Sequence, residues 1–228
     1  MLAGKSKKFN MVSKNFNLTL VDEASPHLPP RLASQGSVID LVIPKIENKA
    51  LAMAKDIALV LSFAILTGIA ANLKIEIGPI PITMQTFAVL LAGALLGSKR
   101  GALSQLTYLL LGLAGLPWFA RGGGISYIMS PTFGYILGFV LTAYFIGWLC
   151  ERGFGRQLKT AILAILLGNI VLYIPGLLWL TKFVGVEKIL AIGFYPFILG
   201  DLVKIFLAGS ILPIGWKLIK RSPNLIDN

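Results

Sequence analysis

Apolar residues in this chain run in blocks of 15 to 28 residues separated by short polar clusters. Within a block there is neither the alternation of a half-buried strand nor the single apolar stripe of a surface helix. Blocks of this length match a hydrocarbon core of about 30 Å, which about 20 apolar residues cross as a helix. The pattern predicts spans over about 56–73, 83–97, 102–116, 132–150, 158–181 and 189–216. The expected fold class is therefore an all-α integral membrane protein with six transmembrane helices, its membrane domain covering 49–220. Residues 1–48 are a different material, basic and punctuated by Pro26, Pro29 and Pro30, and read as a disordered tail. Within it, 38–46 is apolar enough to pack locally or lie on the membrane surface, and 221–228 forms a short C-terminal tail.

Composition agrees: 56% of residues are hydrophobic, 14% are charged, and the mean hydropathy is +0.79. Soluble domains carry about a quarter charged residues. The single cysteine, Cys150, excludes an internal disulfide, and the single histidine, His27, lies outside every apolar block. With few His, Cys, Asp or Glu in the core, general acid–base and metal catalysis lack the groups they need, so an enzyme is not expected. No Gly-x-x-x-x-Gly-Lys-[Ser/Thr] loop is present, so the chain cannot hydrolyse ATP as a P-loop motor.

The net charge of +11 is spread over the tail and the connections between blocks, a topology signal rather than a nucleic-acid footprint. Sixteen Lys or Arg fall on the side of the two termini and four, Lys74, Arg121, Lys182 and Lys188, on the other. The positive-inside rule then places both termini in the cytoplasm of a multi-pass cell-membrane protein in contact with lipid.

Against that background Asp201 and Lys204 stand out as the opposite charges inside a long apolar block. A charge in a low-dielectric setting costs several kcal/mol unless paired or solvated, and intramembrane charges mark functional sites. At i and i+3 the two share a helix face and can brace each other while offering hydrogen bonds to a third group. Sixteen residues separate Asp201 from Lys217, about 24 Å of helix, which puts the pair toward the outer leaflet.

Other polar groups have two readings each. Thr83, Gln85 and Thr86 follow Pro79 and Pro81, and either satisfy freed backbone groups or meet a ligand. Asn169 and Tyr173, one helical turn apart ahead of Pro175, are pocket wall or packing. The 117–135 stretch, with Gly122, Gly123, Gly124 and Tyr127, is a lid over a pocket or an interfacial aromatic loop. Ser104 and Gln105 are expected to hydrogen-bond between helices, and Gly134, Gly138 and Gly147 to bring helices close. Ala54, Ala58 and Ser62 form a small-residue ridge suited to a helix neighbour, inside the chain or outside it.

Several stretches taken together carry a family likeness: Gly78-Pro79-Ile80-Pro81-Ile82-Thr83-Met84-Gln85-Thr86, Leu109 to Pro117 with Phe119, Gly122-Gly123-Gly124, Pro131-Thr132-Phe133-Gly134-Tyr135 with Gly138-Phe139, and Pro196 with Gly200-Asp201-Leu202-Val203-Lys204. In these the chain resembles the BioY family, the biotin-binding S components of energy-coupling factor (ECF) transporters. Arg121 departs from the pattern, which has a small residue there. The resemblance implies high-affinity capture of biotin as the transported ligand, with no cofactor in this chain. It also implies partnership with an ECF transmembrane scaffold protein and cytoplasmic ATPase subunits that use ATP. Under it Asp201 accepts a ureido N–H, Lys204 pairs with Asp201 and donates to a ligand oxygen, and Thr83 or Gln85 completes the polar set. Gly123, Gly124 and Tyr127 cover the rings, with Asn169 and Tyr173 on the wall. The ridge of Ala54, Ala58 and Ser62 becomes the scaffold-docking face. An S component for another vitamin and a self-sufficient secondary transporter are the competing functions; the latter commonly shows inverted repeats, and none is evident here.

Overall fold

A computed structural model describes residues 37–43 and 46–221. The remaining tail residues, with His27 and the prolines near it, lie outside the described residues. In order the elements are helix α1 (Val38–Val42), α2 (Lys49–Asn72), the two-residue strands β1 (Lys74–Ile75) and β2 (Ile82–Thr83), α3 (Gln85–Leu96), α4 (Ser98–Leu113), α5 (Phe133–Glu151), α6 (Leu158–Leu180), α7 (Ile189–Gly193) and α8 (Ile198–Arg221). Short 3₁₀ turns at Ile125–Met129, Phe154–Arg156, Val186–Lys188 and Tyr195–Phe197 fill the connections.

Four stretches are long and apolar enough to cross a membrane: Lys49–Asn72, Phe133–Glu151, Leu158–Leu180 and Val186–Gly215. The α3–α4 pair is shorter. Twelve residues of α3 rise about 18 Å, and the helix is apolar all round because it is buried by neighbours on every side. Leu90, Val89, Ala92 and Ala94 are almost wholly buried.

Span limits differ from the sequence expectation for local reasons. The first helix begins at Lys49, not near 56, because Asn48 caps it: its Oδ1 accepts from the N–H groups of Ala50 and Leu51 at 2.9 and 3.3 Å. The α3–α4 connection is not the four-residue basic turn that Ser98 to Gly101 suggest. It is Gly97 alone, at φ 83°, and α4 starts at Ser98. A carboxylate replaces the missing loop: Glu151 Oε1 accepts from Ser98 N at 2.7 Å and from Ser98 Oγ at 3.0 Å, an anion at a helix N-terminus.

Close helix contacts fall at the expected glycines. A Cβ on Gly147 would lie 2.3 Å from the Gly97 carbonyl carbon, and one on Gly138 would lie 2.7 Å from the Leu172 carbonyl oxygen. Gln105 reaches Thr67 of α2 across the helix interface at 3.2 Å, as anticipated, while Ser104 Oγ turns back to Gly101 O. Two apolar clusters result. One, around Tyr108, Phe119, Phe139 and Tyr173, surrounds the polar residues described next. The other, around Leu90, Ile146, Ile165 and Leu212, fills the half of the bundle near Gly97.

Candidate functional site

Helix α8 begins only after a break. The peptide chain stops at Gly193, turns through Phe194 at φ −132° and ψ −59°, and resumes helix at Ile198. Tyr135 Oη donates to the Gly193 carbonyl at 2.8 Å and satisfies part of the interrupted backbone. Asp201 therefore sits in the first turn of a new helix, where unpaired N–H groups favour an anion, and is 5% exposed.

The two charges are held mainly by different helices rather than by each other. Asp201 Oδ2 accepts from Tyr173 Oη at 2.5 Å and from Asn169 Nδ2 at 3.1 Å, both on α6. Lys204 Nζ donates to the Thr83 carbonyl at the end of β2 at 2.8 Å and to Thr86 Oγ1 in the first turn of α3 at 2.9 Å. Its contact with Asp201 Oδ1 is the longest of the set, at 3.4 Å. An ammonium has three donors, and all three are assigned. A carboxylate oxygen takes about two hydrogen bonds, and among the described residues Oδ1 has only that long one. Acceptor capacity is thus left on Asp201 and none of the donors on Lys204 is spare.

Asp201 and Lys204 face a cavity of about 500 Å³, its open mouth included. Thr83, Gln85, Thr86 and Thr132 supply further polar wall, and Tyr127, Tyr135, Phe139, Tyr173 and Phe197 supply ring surface. Such a combination, mostly apolar with a few placed polar groups, is the usual makeup of a small-molecule site. Gln85 is fixed from both sides: its Oε1 accepts from Thr83 Oγ1 at 3.0 Å, and its Nε2 donates to Tyr108 Oη at 2.5 Å. Tyr108 Oη in turn donates to the Trp118 carbonyl at 3.1 Å.

Of the residues singled out from sequence, Asp201, Lys204, Thr83, Gln85, Tyr127 and Tyr173 come together on the wall. Asn169 stands behind Asp201 and orients it, and its own Oδ1 has no partner among the described residues. Gly123 and Gly124 shape the loop instead of lining the cavity. A Cβ on Gly123 would lie 2.2 Å from the Leu116 carbonyl oxygen, and Gly124 N donates to Gly112 O at 2.7 Å. Ala54, Ala58 and Ser62 point away from the bundle and are exposed. Sequence reasoning did not single out Tyr108 or Phe197, read Tyr135 as ring surface of the 117–135 lid, and treated Phe139 as part of a family pattern only. The signal available was the i, i+4 spacing of Tyr135 and Phe139 beside the close-packing Gly134 and Gly138.

Arg121 gains an explanation. Its Nε and Nη2 donate to Glu76 Oε2 at 3.1 and 2.5 Å, its Nη1 donates to the Pro79 carbonyl at 2.9 Å, and Nη2 also reaches the Gly78 carbonyl at 2.9 Å. Lys74 pairs with Glu76 at 3.1 Å and donates to the Ala120 carbonyl. These contacts fasten two cavity-walling segments to each other, one carrying Ile80 and Pro81 and the other carrying Ala120. Glu76 titrates below the usual carboxylate range, held down by hydrogen bonds from Arg121 and then Lys74.

Long apolar helices around a part-polar cavity near one end of the bundle define an integral membrane protein built to hold a small molecule. Comparison with known proteins carries this to a family: the BioY family profile matches residues 44–221, and the chain belongs to that family. Over 152 residues it is 43% identical to a protein of Pyrococcus horikoshii named probable biotin transporter BioY, covering 66% of this chain and 90% of the relative. The biotin transporter BioY of Thermotoga maritima is 39% identical over 65% of this chain and 88% of its own length. For that of Rhizobium etli the figures are 32% identity, 72% and 96%. A crystal structure described as the S-component for biotin from an ECF-type ABC transporter superposes with a TM-score of 0.66 at 27% identity, covering 76% of this chain and 95% of that one. These relatives are transporters, not enzymes.

Proposed function

We propose that this chain is a biotin-capturing S component of an ECF-type transporter in the cell membrane. Six spanning helices carry it: α2, α3, α4, α5, α6, and α7 and α8 acting as one broken span. Both termini face the cytoplasm and the cavity opens outward. One observation carries the ligand assignment beyond family membership: the polar wall presents a carboxylate oxygen, Asp201 Oδ1, with acceptor capacity unused. Biotin's ureido ring brings two N–H donors, and its thiophane ring and valerate chain suit the aromatic wall. Asp201 is then the ligand contact, while Lys204, its donors already committed to Thr83, Thr86 and Asp201, holds α8 against the β2–α3 segment. Gln85 and Thr83, locked against Tyr108, offer the second polar contact. One charge-assisted bond of about 1.5 to 3 kcal/mol and a neutral bond of about 1 kcal/mol leave most of the roughly −12 kcal/mol of nanomolar binding to apolar burial against the aromatic wall.

Transport needs an energy source, which separate scaffold and ATPase subunits supply, and the exposed Ala54, Ala58 and Ser62 face of α2 is the docking surface for the scaffold. Titration calorimetry of the purified chain with biotin, riboflavin and thiamine tests the ligand. Nanomolar binding of biotin alone is expected; tight binding of another vitamin with none of biotin overturns the substrate and leaves the fold untouched.

A further inference from the structure

Helix α1 lies ahead of the 44–221 region that defines the family, yet it is built into the bundle. Ser37 and Val38 are each 7% exposed, and Val38 belongs to the same apolar cluster as Leu90, Ile146 and Leu212. Five residues make a poor helix by themselves, and a capping box compensates: Asp40 Oδ2 accepts from Ser37 Oγ at 2.7 Å and from Ser37 N at 3.3 Å. The other carboxylate oxygen, Asp40 Oδ1, accepts from Arg100 Nη1 at 2.6 Å. Arg100 Nη2 pairs with Asp56 Oδ1 of α2 at 3.0 Å. A single guanidinium on α4 therefore joins α1 and α2.

That junction falls where α2 has little else. The buried residues of α2 are Ala64, Thr67, Gly68, Ala70 and Ala71, all in its second half. Among the described residues the N-terminal stretch of α2, 49–62, meets the bundle's charged groups through one ion pair, Asp56 with Arg100, and Phe63 is where its packing on the apolar cluster begins. Ala54, Ala58 and Ser62 lie in this loosely held stretch. The ligand cavity is remote from it: Gln85 is on the wall and Leu96, four residues before Arg100, is about 16 Å further along α3.

We propose that Arg100 is a shared anchor through which α1 sets how the first half of α2 leans on the bundle, making Asp40, Arg100 and Asp56 positioning residues for the partner-docking face. This rests on the reading of Ala54, Ala58 and Ser62 as that face. Arg100 is hydrogen-bonded to Asp40 and ion-paired with Asp56, so removing Asp40 frees the guanidinium to turn wholly to Asp56, and removing Asp56 releases α2.

Spin labels at Leu51 and Lys159, both exposed, report the α2-to-bundle distance by double electron–electron resonance in the full chain carrying Cys150→Ala. Asp40→Asn is expected to shift the distance, Asp56→Asn to broaden it, and Asp40→Glu and Arg100→Lys to keep the wild-type distribution. Biotin affinity should stay as it is, while biotin uptake in cells supplying an ECF scaffold and ATPases falls by about two- to fivefold in Asp40→Asn, the scale a half-exposed ion pair supports. Unchanged distances in Asp40→Asn and Asp56→Asn overturn the anchor, as does a matching loss of biotin affinity, which marks general destabilisation. Moved distances with unchanged uptake also overturn it. Should Ala58→Trp leave coupled uptake intact, the docking reading fails, and the distance measurements still judge the ion-pair anchor by themselves.

Discussion

At the scale of single residues, the arrangement separates two jobs that one charged pair was expected to share. Asp201 keeps acceptor capacity toward the cavity, and Lys204 is consumed by Thr83, Thr86 and Asp201. Asp201→Asn should therefore weaken biotin binding by about 10- to 100-fold, the loss of one charge-assisted bond, and should also cost some stability, since the Lys204 ammonium loses its anion while keeping the neutral acceptors Thr83 and Thr86. Lys204→Met should act first on stability, because it leaves a buried carboxylate without its cation, a change costing about 3 to 5 kcal/mol. Thermal unfolding and calorimetry on the two variants and their combination check this. The double variant is expected to recover much of the stability lost by Lys204→Met while binding no better than Asp201→Asn; a double variant as unstable as Lys204→Met contradicts the division. The charges themselves were legible in the sequence, since nothing else in 189–216 is ionised before the end of the block. Their partners were less so, because Tyr173 and Asn169 are 28 and 32 residues from Asp201 and only the fold brings α6 beside α8.

At the scale of elements, the broken start of α8 coincides with Gly193 and Pro196, whereas the polar clusters misplaced the start of α2 and the α3–α4 turn, and α6 runs on through Pro175. The helix faces were not readable in the same way. In α4 the buried face carries Ser98, Gly101, Ser104 and Gln105 while Leu103, Leu106 and Leu110 face outward, and Phe197 sits in a three-residue turn with no helical period, so no apolar stripe marked Tyr108 or Phe197 as wall. Arg121 looked anomalous for a related reason: Glu76, Gly78 and Pro79 lie 42 to 45 residues away, and only the closed loops reveal the contact. With the β1–β2 hairpin tied to the 119–122 turn over the cavity, Arg121→Ala should raise both association and release rates of biotin while changing the dissociation constant little, read by stopped-flow Trp118 fluorescence. Equal rates would show the tie to be irrelevant to exchange. The groups facing Glu76 are Lys74 and Arg121, both cationic. They depress its titration, so the tie is complete above the ordinary carboxylate range and is lost as pH falls through the lowered value. Release should accelerate on acidification in the wild type and show no such acid limb in Glu76→Gln.

At the scale of the whole molecule, the cavity lies toward one end of the bundle and the exposed Ala54, Ala58 and Ser62 lie on the outer face of α2. Gly147 against Gly97 and Gly138 against Leu172 bring backbones into contact, so α3, α5 and α6 move as one body and a rearrangement confined to one of them would open voids. Helix α2 is the exception, with 11% of its most apolar window buried, a level fitting a helix that trades lipid for a protein neighbour. Packing between helices in a membrane depends on close approach, and a large side chain in a small-residue ridge prevents it. Ala58→Trp is therefore expected to bind biotin as the wild type does and yet lose most uptake in cells that supply the scaffold and ATPases. The same variant in vesicles containing this chain alone provides the contrast. If the chain moved biotin unaided, a proton gradient would drive uptake there and Ala58→Trp would leave it unchanged, because no partner would be needed at α2. Absent uptake by the chain alone, together with partner-dependent uptake abolished by one exposed α2 residue that lines no part of the cavity, would locate energy coupling on the outer face of α2 and nowhere in the cavity.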